Sequence, residues 1–200
     1  MKMYVFDFDG VICDSTPECY VTSNNAWNSM HKLKKKTSFN NLNDNLFYNE
    51  FLKFRPYVKG GGEYYIFYYM QKNKIKKTYD NYKKLKNNFS NEINNYSKYF
   101  YKERNKLKKN NLNTWLKLNY VFPDVLKILK YLHSHNKLLI STMKDKQSII
   151  QILKNKKIKM NKKFILDQFE IENKLESLKI FMNRFNIEKK DIYFFDDNVN

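Results

Sequence analysis

The residues best suited to chemistry are two closely spaced pairs of aspartates at opposite ends of the chain. Asp7 and Asp9 follow a short apolar run near the N-terminus, and Asp196 and Asp197 follow another apolar run. Carboxylates cannot gather at one place unless a cation or a proton offsets their charge. Hard oxygen ligands of this kind suit Mg²⁺, which keeps coordination sites for water and substrate phosphate.

Hydrogen-bond donors accompany these acids along the sequence. A hydroxyl pair, Ser141-Thr142, follows a third apolar run, and Lys174 precedes the last one by about one helix length. A lysine and a hydroxyl can bind the oxygens of a phosphoryl group and offset their charge. Together with a cation held by carboxylates, this set of groups predicts phosphoryl transfer.

The pattern of apolar residues predicts where these groups lie in the fold. Four short buried strands are predicted, at residues 3–8, 137–142, 164–167 and 191–195. Helices are predicted at residues 124–136, 146–156 and 175–185. Strands that alternate with helices of this length indicate an α/β fold with a doubly wound parallel sheet. Ligands of such sheets bind at the carboxyl ends of the strands, where the acids, the hydroxyl and the lysine would meet.

A long helical segment interrupts this alternation. A helix is predicted from Thr16 to about Met30 and another over residues 44–54, before Pro56 and three glycines break the chain. Apolar residues spaced by three or four then predict an amphipathic helix or helical hairpin between Ile75 and Leu107. We therefore expect an α/β core from residues 1–15 and 121–200, with residues 16–120 inserted as a helical cap.

The motifs resemble those of the haloacid dehalogenase (HAD) superfamily. The run FDFDGVICDS resembles its first motif in the helical-cap branch that includes phosphoglycolate phosphatase-like enzymes. The passage VFPDVLKILKYLHSHNKLLISTMK resembles the region of the second motif, with Thr142 in the hydroxyl position. Lys174 resembles the lysine of the third motif, and IYFFDD resembles the fourth motif in its two-acid form. The resemblance covers residues 1–25 and 120–200, and the rest of the insert has no close match.

This resemblance implies a role for each residue. Asp7 would be the nucleophile that forms an aspartyl-phosphate, and Asp9 would be the general acid and base. Thr142 and Lys174 would bind the transferring phosphoryl group, with Gly10 beside them. The Mg²⁺ ligands would be Asp7, the backbone carbonyl of Asp9, and one or both of Asp196 and Asp197. An acid at position 9 favours a phosphatase over members that break carbon–halogen bonds.

Three features depart from the family pattern. Ser141 lies beside Thr142, so either could supply the hydroxyl, and the strand register favours Thr142. Lys144 is a rival to Lys174, although Lys174 has the better spacing to Asp196. The family normally continues with another helix and strand after the fourth motif. The end at Asn200 therefore predicts a fragment or a truncated form.

One residue of the insert is predicted to contact substrate. Arg55 is one of only 3 arginines, against 35 lysines, and it lies just before Pro56 and the glycines. The composition indicates that Lys has replaced Arg at most basic positions. A position that keeps Arg is therefore expected to need the planar guanidinium. Because the cap of this family faces the active site, we expect Arg55 to help select the leaving group.

Composition limits the cellular setting and the partners. The net charge of +18 would suit a nucleic-acid partner, but the excess is Lys rather than the Arg that reads phosphates and base edges. We therefore expect most lysines to be solvated surface and nucleic acid not to be the partner. Two cysteines rule out a disulfide scaffold, and no run of about 18 apolar residues is present. A soluble, cytoplasmic protein of undetermined oligomeric state is expected.

The sequence thus predicts a Mg²⁺-dependent phosphatase that hydrolyses a small phosphorylated metabolite. Two alternatives remain open at this point. A β-phosphoglucomutase-like phosphotransferase shares all four motifs. A catalytically idle binding module would use the basic helical insert, for example on nucleic acid, but acids present in both aspartate motifs argue against it.

Overall fold

The computed structural model describes residues 2–34, 37 and 46–197. It divides into two compact units. Residues Met1–Ser15 and Asn119–Asn200 form an α/β unit, and Thr16–Leu118 form a helical unit. The divisions between these units fall at 15/16 and 118/119, against the predicted 15/16 and 120/121.

The α/β unit is built on a parallel sheet, which confirms the predicted fold class. Its four strands are β1 (Met3–Phe6), β4 (Leu138–Ser141), β5 (Ile165–Leu166) and β6 (Ile192–Phe195). Their order across the sheet is β5-β4-β1-β6, and every neighbouring pair is parallel. Phe6 at the end of β1 pairs with Ile140 of β4 and with Phe195 of β6. This register brings Asp7, Ser141 and Asp196 to the same edge of the sheet.

Three helices connect these strands. They are α7 (Pro123–Ser134), α8 (Lys146–Asn155) and α9 (Lys174–Phe185). Each helix begins within one residue of its predicted start because Pro123 fits a first-turn position and Asp145 and Asn173 cap α8 and α9. Phe181 of α9 packs against Val5 and Leu139 of the sheet. Burial of such apolar side chains contributes about 2 kcal/mol each and fixes the helix on the sheet.

A two-stranded antiparallel ribbon joins the two separated parts of this unit, and the sequence pattern did not predict it. Strands β2 (Cys13–Asp14) and β3 (Tyr120–Val121) are only two residues long. Cys13 pairs with Val121, and the amide of Phe122 donates to the carbonyl of Ile12. Strands this short show no alternation, so their pairing across more than a hundred residues has no local signal.

The described part of the helical unit contains six α-helices. They are α1 (Thr16–Met30), α2 (Leu46–Phe54), α3 (Tyr64–Lys72), α4 (Tyr79–Asn88), α5 (Ser90–Asn110) and α6 (Leu112–Lys117). Helix α1 has its predicted bounds, and residues 44 and 45 of the predicted second helix lie outside the described residues. The amphipathic segment is two helices, which are separated at Phe89. Aromatic side chains dominate the core of this unit, among them Tyr64, Phe67 and Phe100. No helix in the described part of the chain is long and apolar enough to cross a membrane.

Candidate active site

The first carboxylate of the site lies in a tight loop directly after β1. The amide of Asp7 donates to the carbonyl of Phe195, which continues the pairing of β1 with β6. The amides of Ile12 and Cys13 both donate to the carbonyl of Phe8, so the chain turns back at once. Asp7 is 5% exposed, and one of its oxygens accepts from the Phe8 amide at 2.6 Å. The loop therefore holds a buried carboxylate at the carboxyl edge of the sheet.

Gly10 in this loop allows a close approach between the two aspartate pairs. Its φ is +90°, a conformation that L side chains rarely adopt. A Cβ at this position would meet the Oδ2 atom of Asp197 at 2.1 Å, which is well inside van der Waals contact. Any side chain at residue 10 would therefore strain the loop and displace Asp197.

Lys174 connects the two aspartate pairs. Asn173 caps α9 by accepting from the amide of Glu176 at 2.9 Å, so Lys174 is the first helical residue. Its Nζ atom lies 2.5 Å from Asp7 Oδ2 and 2.7 Å from Asp196 Oδ1. One ammonium group thus bridges a carboxylate that follows β1 and a carboxylate that follows β6.

Burial and charge oppose each other at this site. Burial raises the pKa of Asp7 from 3.8 to about 6, while the neighbouring Lys174 ammonium lowers it and Asp9 raises it further. Burial would lower the pKa of Lys174, but the Asp7 and Asp196 carboxylates hold that pKa above its usual value. The lysine is therefore fully charged, yet it does not compensate the site on its own.

Three carboxylates fit a divalent cation. Ligand oxygens of Asp7, Asp196 and Asp197 all lie within 4.8 Å of one another. The charges of Asp7, Asp9, Asp196 and Asp197 and of the two lysines that contact them, Lys144 and Lys174, sum to −2. A divalent cation would balance that charge, and carboxylate oxygens are the ligands that Mg²⁺ prefers. The side chain of Asp9 does not belong to this group of three carboxylates. The predicted role of the Asp9 backbone carbonyl as a ligand stays a prediction.

The side chain of Asp9 faces a second lysine. Its Oδ1 atom accepts from Ser15 Oγ at 2.7 Å and lies 3.3 Å from Lys144 Nζ. The Lys144 side chain is 1% exposed, so a charged group is buried beside the Asp9 carboxylate. The sequence placed Lys144 and Lys174 as rivals for one role. In the structure both lie at the site, where Lys174 contacts Asp7 and Asp196 and Lys144 contacts Asp9.

The two candidate hydroxyls have different partners. Ser141 Oγ lies 2.6 Å from Ser177 Oγ in the first turns of α9, whereas Thr142 Oγ1 accepts from the amide of Lys144 at 3.2 Å. Both residues are buried. Thr142 lies in the loop beyond the last residue of β4, and Ser141 is engaged with a helix. This arrangement favours Thr142 for the phosphate, as the register argument predicted, but the phosphate contact itself stays a prediction.

Arg55 lies in the helical unit, where it belongs to a single turn of 3₁₀ helix after α2. Its Nη1 atom donates to the carbonyl of Val58 at 3.1 Å, which closes the turn around Pro56. The predicted role of Arg55 in substrate binding stays a prediction. The planar guanidinium is used most fully by Arg104, which binds Glu18 through two parallel hydrogen bonds.

Comparison with known proteins gives a consistent picture. A family described as haloacid dehalogenase-like hydrolase matches residues 1–200. Among solved structures, a predicted phosphoglycolate phosphatase from Haemophilus somnus matches with a TM-score of 0.60 and 16% identity over 97% of this chain and 76% of that chain. A predicted β-phosphoglucomutase from Thermotoga maritima matches with a TM-score of 0.55 and 17% identity over 99% of this chain and 77% of that chain. At these identities the likeness shows the fold. No curated protein matches the sequence.

Proposed function

Because the chain belongs to the haloacid dehalogenase-like hydrolases, we propose that it is a Mg²⁺-dependent phosphatase that hydrolyses a small phosphorylated metabolite. The observation that carries this proposal is the convergence of Asp7, Asp196, Asp197 and Lys174 at one edge of the sheet. A buried carboxylate beside an ammonium and an acidic cation site is the set of groups that phosphoryl transfer requires.

Asp7 is the proposed nucleophile. One of its oxygens accepts from the Phe8 amide and the other contacts Lys174, so the carboxylate is fixed in orientation. In the first step an Asp7 oxygen attacks phosphorus, the bond to the leaving oxygen breaks, and an aspartyl-phosphate forms. Water then attacks the phosphorus of this intermediate, which releases phosphate and restores the carboxylate.

Asp9 is the proposed general acid and base. It would give a proton to the leaving oxygen in the first step and take one from water in the second. Its carboxylate is held by Ser15 and Lys144 rather than by the Asp7 cluster. Two aspartates separated by one residue thus have different surroundings, which is how one site can provide both a nucleophile and a proton carrier.

The cations of the site would stabilise charge on the transferring group. Lys174 would offset the negative charge of the phosphoryl oxygens, with Thr142 and the loop around Gly10 as further donors. Mg²⁺ would be held by Asp7, Asp196 and Asp197, with the Asp9 backbone carbonyl as a further ligand. When bound, it would supply Lewis-acid stabilisation of phosphoryl oxygens.

A phosphotransferase of the β-phosphoglucomutase type is the second candidate, because the same groups could return the phosphoryl group to a second hydroxyl. The structural match to a predicted β-phosphoglucomutase supports this second candidate. The two candidates differ in the acceptor of the second step, which is water for a phosphatase and a sugar hydroxyl for a mutase.

A panel of phosphomonoesters tests the proposal. The protein should release inorganic phosphate from an aryl phosphate and from at least one small metabolite when Mg²⁺ is present. Excess chelator should abolish release, and Ca²⁺ should inhibit because its longer bonds and larger coordination number loosen the attack geometry. Asp7→Asn is the matched negative control. Absence of phosphate release from the whole panel would contradict the proposal, and turnover that requires a sugar bisphosphate would favour the mutase.

A further inference from the structure

A pair of buried serine hydroxyls joins the end of β4 to the start of α9. Ser141 Oγ and Ser177 Oγ lie 2.6 Å apart, and neither residue is exposed to solvent. Ser177 Oγ also lies 2.6 Å from the carbonyl oxygen of Lys174. The mechanism proposed above uses neither hydroxyl, although their chain of hydrogen bonds ends on a residue that the mechanism does use.

The direction of these hydrogen bonds follows from the groups involved. A carbonyl oxygen only accepts, so Ser177 must give its proton to Lys174. A hydroxyl has one proton, and Ser141 must therefore donate to Ser177. The chain thus runs from β4 through Ser177 to the backbone of Lys174.

The side chain of Lys174 reaches Asp7 and Asp196, but the capping bonds of the first turn of α9 stay within the helix. Asn173 accepts from the amide of Glu176, and Glu176 accepts from the amide of Glu172 at 2.7 Å. These bonds close the turn on itself and are local to the helix. Leu178 of α9 is partly buried against the sheet core, and the fully buried Phe181 lies a full turn beyond Ser177. The Ser141–Ser177 hydrogen bond is a direct polar tie between the first turns of α9 and β4.

We propose that Ser141 and Ser177 are positioning residues that hold Lys174 at the phosphoryl-transfer site. This inference rests on the proposed function. The Lys174 ammonium is useful only where it meets both Asp7 and Asp196, and its flexible stem cannot set that place by itself. Anchoring its backbone to β4 keeps the ammonium in register with Thr142, the residue that follows Ser141. Misplacement by about 1 Å at such a site can cost up to about a hundredfold in rate.

A double-mutant cycle separates this role from simple packing. Ser177→Ala should lower kcat/KM for an aryl phosphate about tenfold, mainly through kcat, and Ser141→Ala should lower it by a smaller factor. In a Lys174→Ala background, the same two substitutions should change kcat/KM by less than about twofold. A role in stability alone would instead leave the cost equal in both backgrounds, or absent from both.

Substituting both serines separately distinguishes this positioning role from a direct contact between Ser141 and the phosphate. If Ser141 contacted the phosphate directly, Ser141→Ala would reduce activity in the Lys174→Ala background as well, and Ser177→Ala would have little effect. That pattern would overturn the proposal. The order of the single variants is also informative, because Ser177→Ala removes both bonds and strands a buried proton on Ser141.

Ser23 in the helical unit offers a matched control. Its hydroxyl donates to the carbonyl of Tyr20 at 3.1 Å and lies 3.0 Å from the hydroxyl of Tyr68, which reproduces the bonding of Ser177. Ser23→Ala should lower Tm by roughly the same 2–4 °C as Ser177→Ala. It should leave kcat for the aryl phosphate unchanged. An equal fall in kcat for both variants would overturn the proposal.

Amide hydrogen exchange tests the anchoring without turnover. Ser141→Ala should speed exchange in the first two turns of α9 at least about tenfold, while Ser23→Ala should not. If Ser141→Ala left amide exchange in α9 unchanged, the inference would be overturned. If the wild-type protein hydrolyses no phosphomonoester, the proposed function fails, and the exchange result still decides whether the serines anchor Lys174.

Discussion

Among the described residues, the helical unit contains a buried Glu18–Arg104 pair and the α/β unit contains a cluster of carboxylates around the buried Asp7, and the charges of these two groups are balanced differently. In the helical unit, Arg104 binds Glu18 through bonds of 2.9 and 2.8 Å, and Thr22 donates a third bond at 2.7 Å to the same carboxylate. Both charged side chains are almost fully buried, and the guanidinium lies 4.7 Å from the Phe100 ring centroid. Burial opposes the charge on Arg104, but Glu18 holds the pKa of that guanidinium well above its usual value.

At the candidate active site of the α/β unit, the charges of the clustered aspartates and lysines do not cancel. Asp7, Asp9, Asp196 and Asp197 carry more charge than Lys144 and Lys174, the two lysines that contact them, and burial raises the pKa of Asp7 to about 6. A pair that is neutral and fully bonded has no further ligand to attract. A cluster that keeps a net negative charge destabilises the metal-free protein and attracts a cation. The difference identifies the first as structural and the second as the candidate for chemistry.

The largest effect should come from the nucleophile. Asp7→Asn is nearly isosteric but cannot form an acyl phosphate, so kcat for an aryl phosphate should fall by at least about 10⁴-fold. Circular dichroism should show an unchanged fold. Retention of more than about 1% of wild-type activity would remove Asp7 from the chemistry and weaken the contrast between the two clusters.

The structural pair should respond in stability. Arg104→Leu leaves the buried Glu18 carboxylate without its partner and should lower the free energy of unfolding by about 3–5 kcal/mol in urea denaturation. Combining it with Glu18→Leu removes both charges and should restore much of the loss. If the double variant were no more stable than Arg104→Leu, the cost would not come from an uncompensated charge.

The Asp7 cluster should make the metal-free protein depend on pH. The folded-state pKa of about 6 is above the ordinary 3.8, so the proton is held more tightly in the folded state. This contribution to stability is present below about pH 4 and is lost as the pH rises to about 6, a fall of about 3 kcal/mol. Unfolding in urea across this range should show the fall in wild type with chelator present. Asp7→Asn should lack it, and equal slopes for both proteins would contradict the pKa assignment.

The smallest predicted effect concerns substrate selection by the helical unit. Arg55→Lys keeps the charge but loses the planar fork, and should lower kcat/KM for the true substrate about ten- to a hundredfold. An aryl phosphate, which has no anionic tail, should be hydrolysed almost as before. Equal losses on both substrates would assign Arg55 to folding, in keeping with its bond to Val58. No loss on either would place the substrate contact elsewhere.

The local signals in the sequence predicted the strands of the parallel sheet, the helices that connect them, and the residues that meet at the candidate site. Apolar runs followed by Asp7 and by Asp196 indicated strand ends, and parallel topology then brought these residues to one edge. Caps such as Asn173 fixed the start of α9, and thereby the place of Lys174. These predictions depended on neighbours in the chain and on one rule of sheet topology.

Contacts between distant residues were not predictable in the same way. Glu18 and Arg104 are 86 residues apart, and Ser141 and Ser177 are 36 apart. Neither pair has a sequence pattern, because only the packed fold brings the partners together. Arg104 uses its planar guanidinium on Glu18, which the sequence did not indicate, and the role predicted for Arg55 stays a prediction. Lys144 looked like an alternative to Lys174 because spacing alone cannot show that the two lysines contact different aspartates of one site.

The central claim is that Asp7 carries the phosphoryl group during turnover. The most direct measurement is to quench the enzyme in acid while it hydrolyses an aryl phosphate with Mg²⁺, and to map the digest by mass spectrometry. We predict one phosphoryl group on the peptide that contains Asp7, and reduction of the quenched enzyme with borohydride should convert residue 7 to homoserine. Asp9→Asn should raise the trapped fraction because the second step loses its base. Turnover with no trapped phosphoryl group in either protein, or with the group on another residue, would contradict the account.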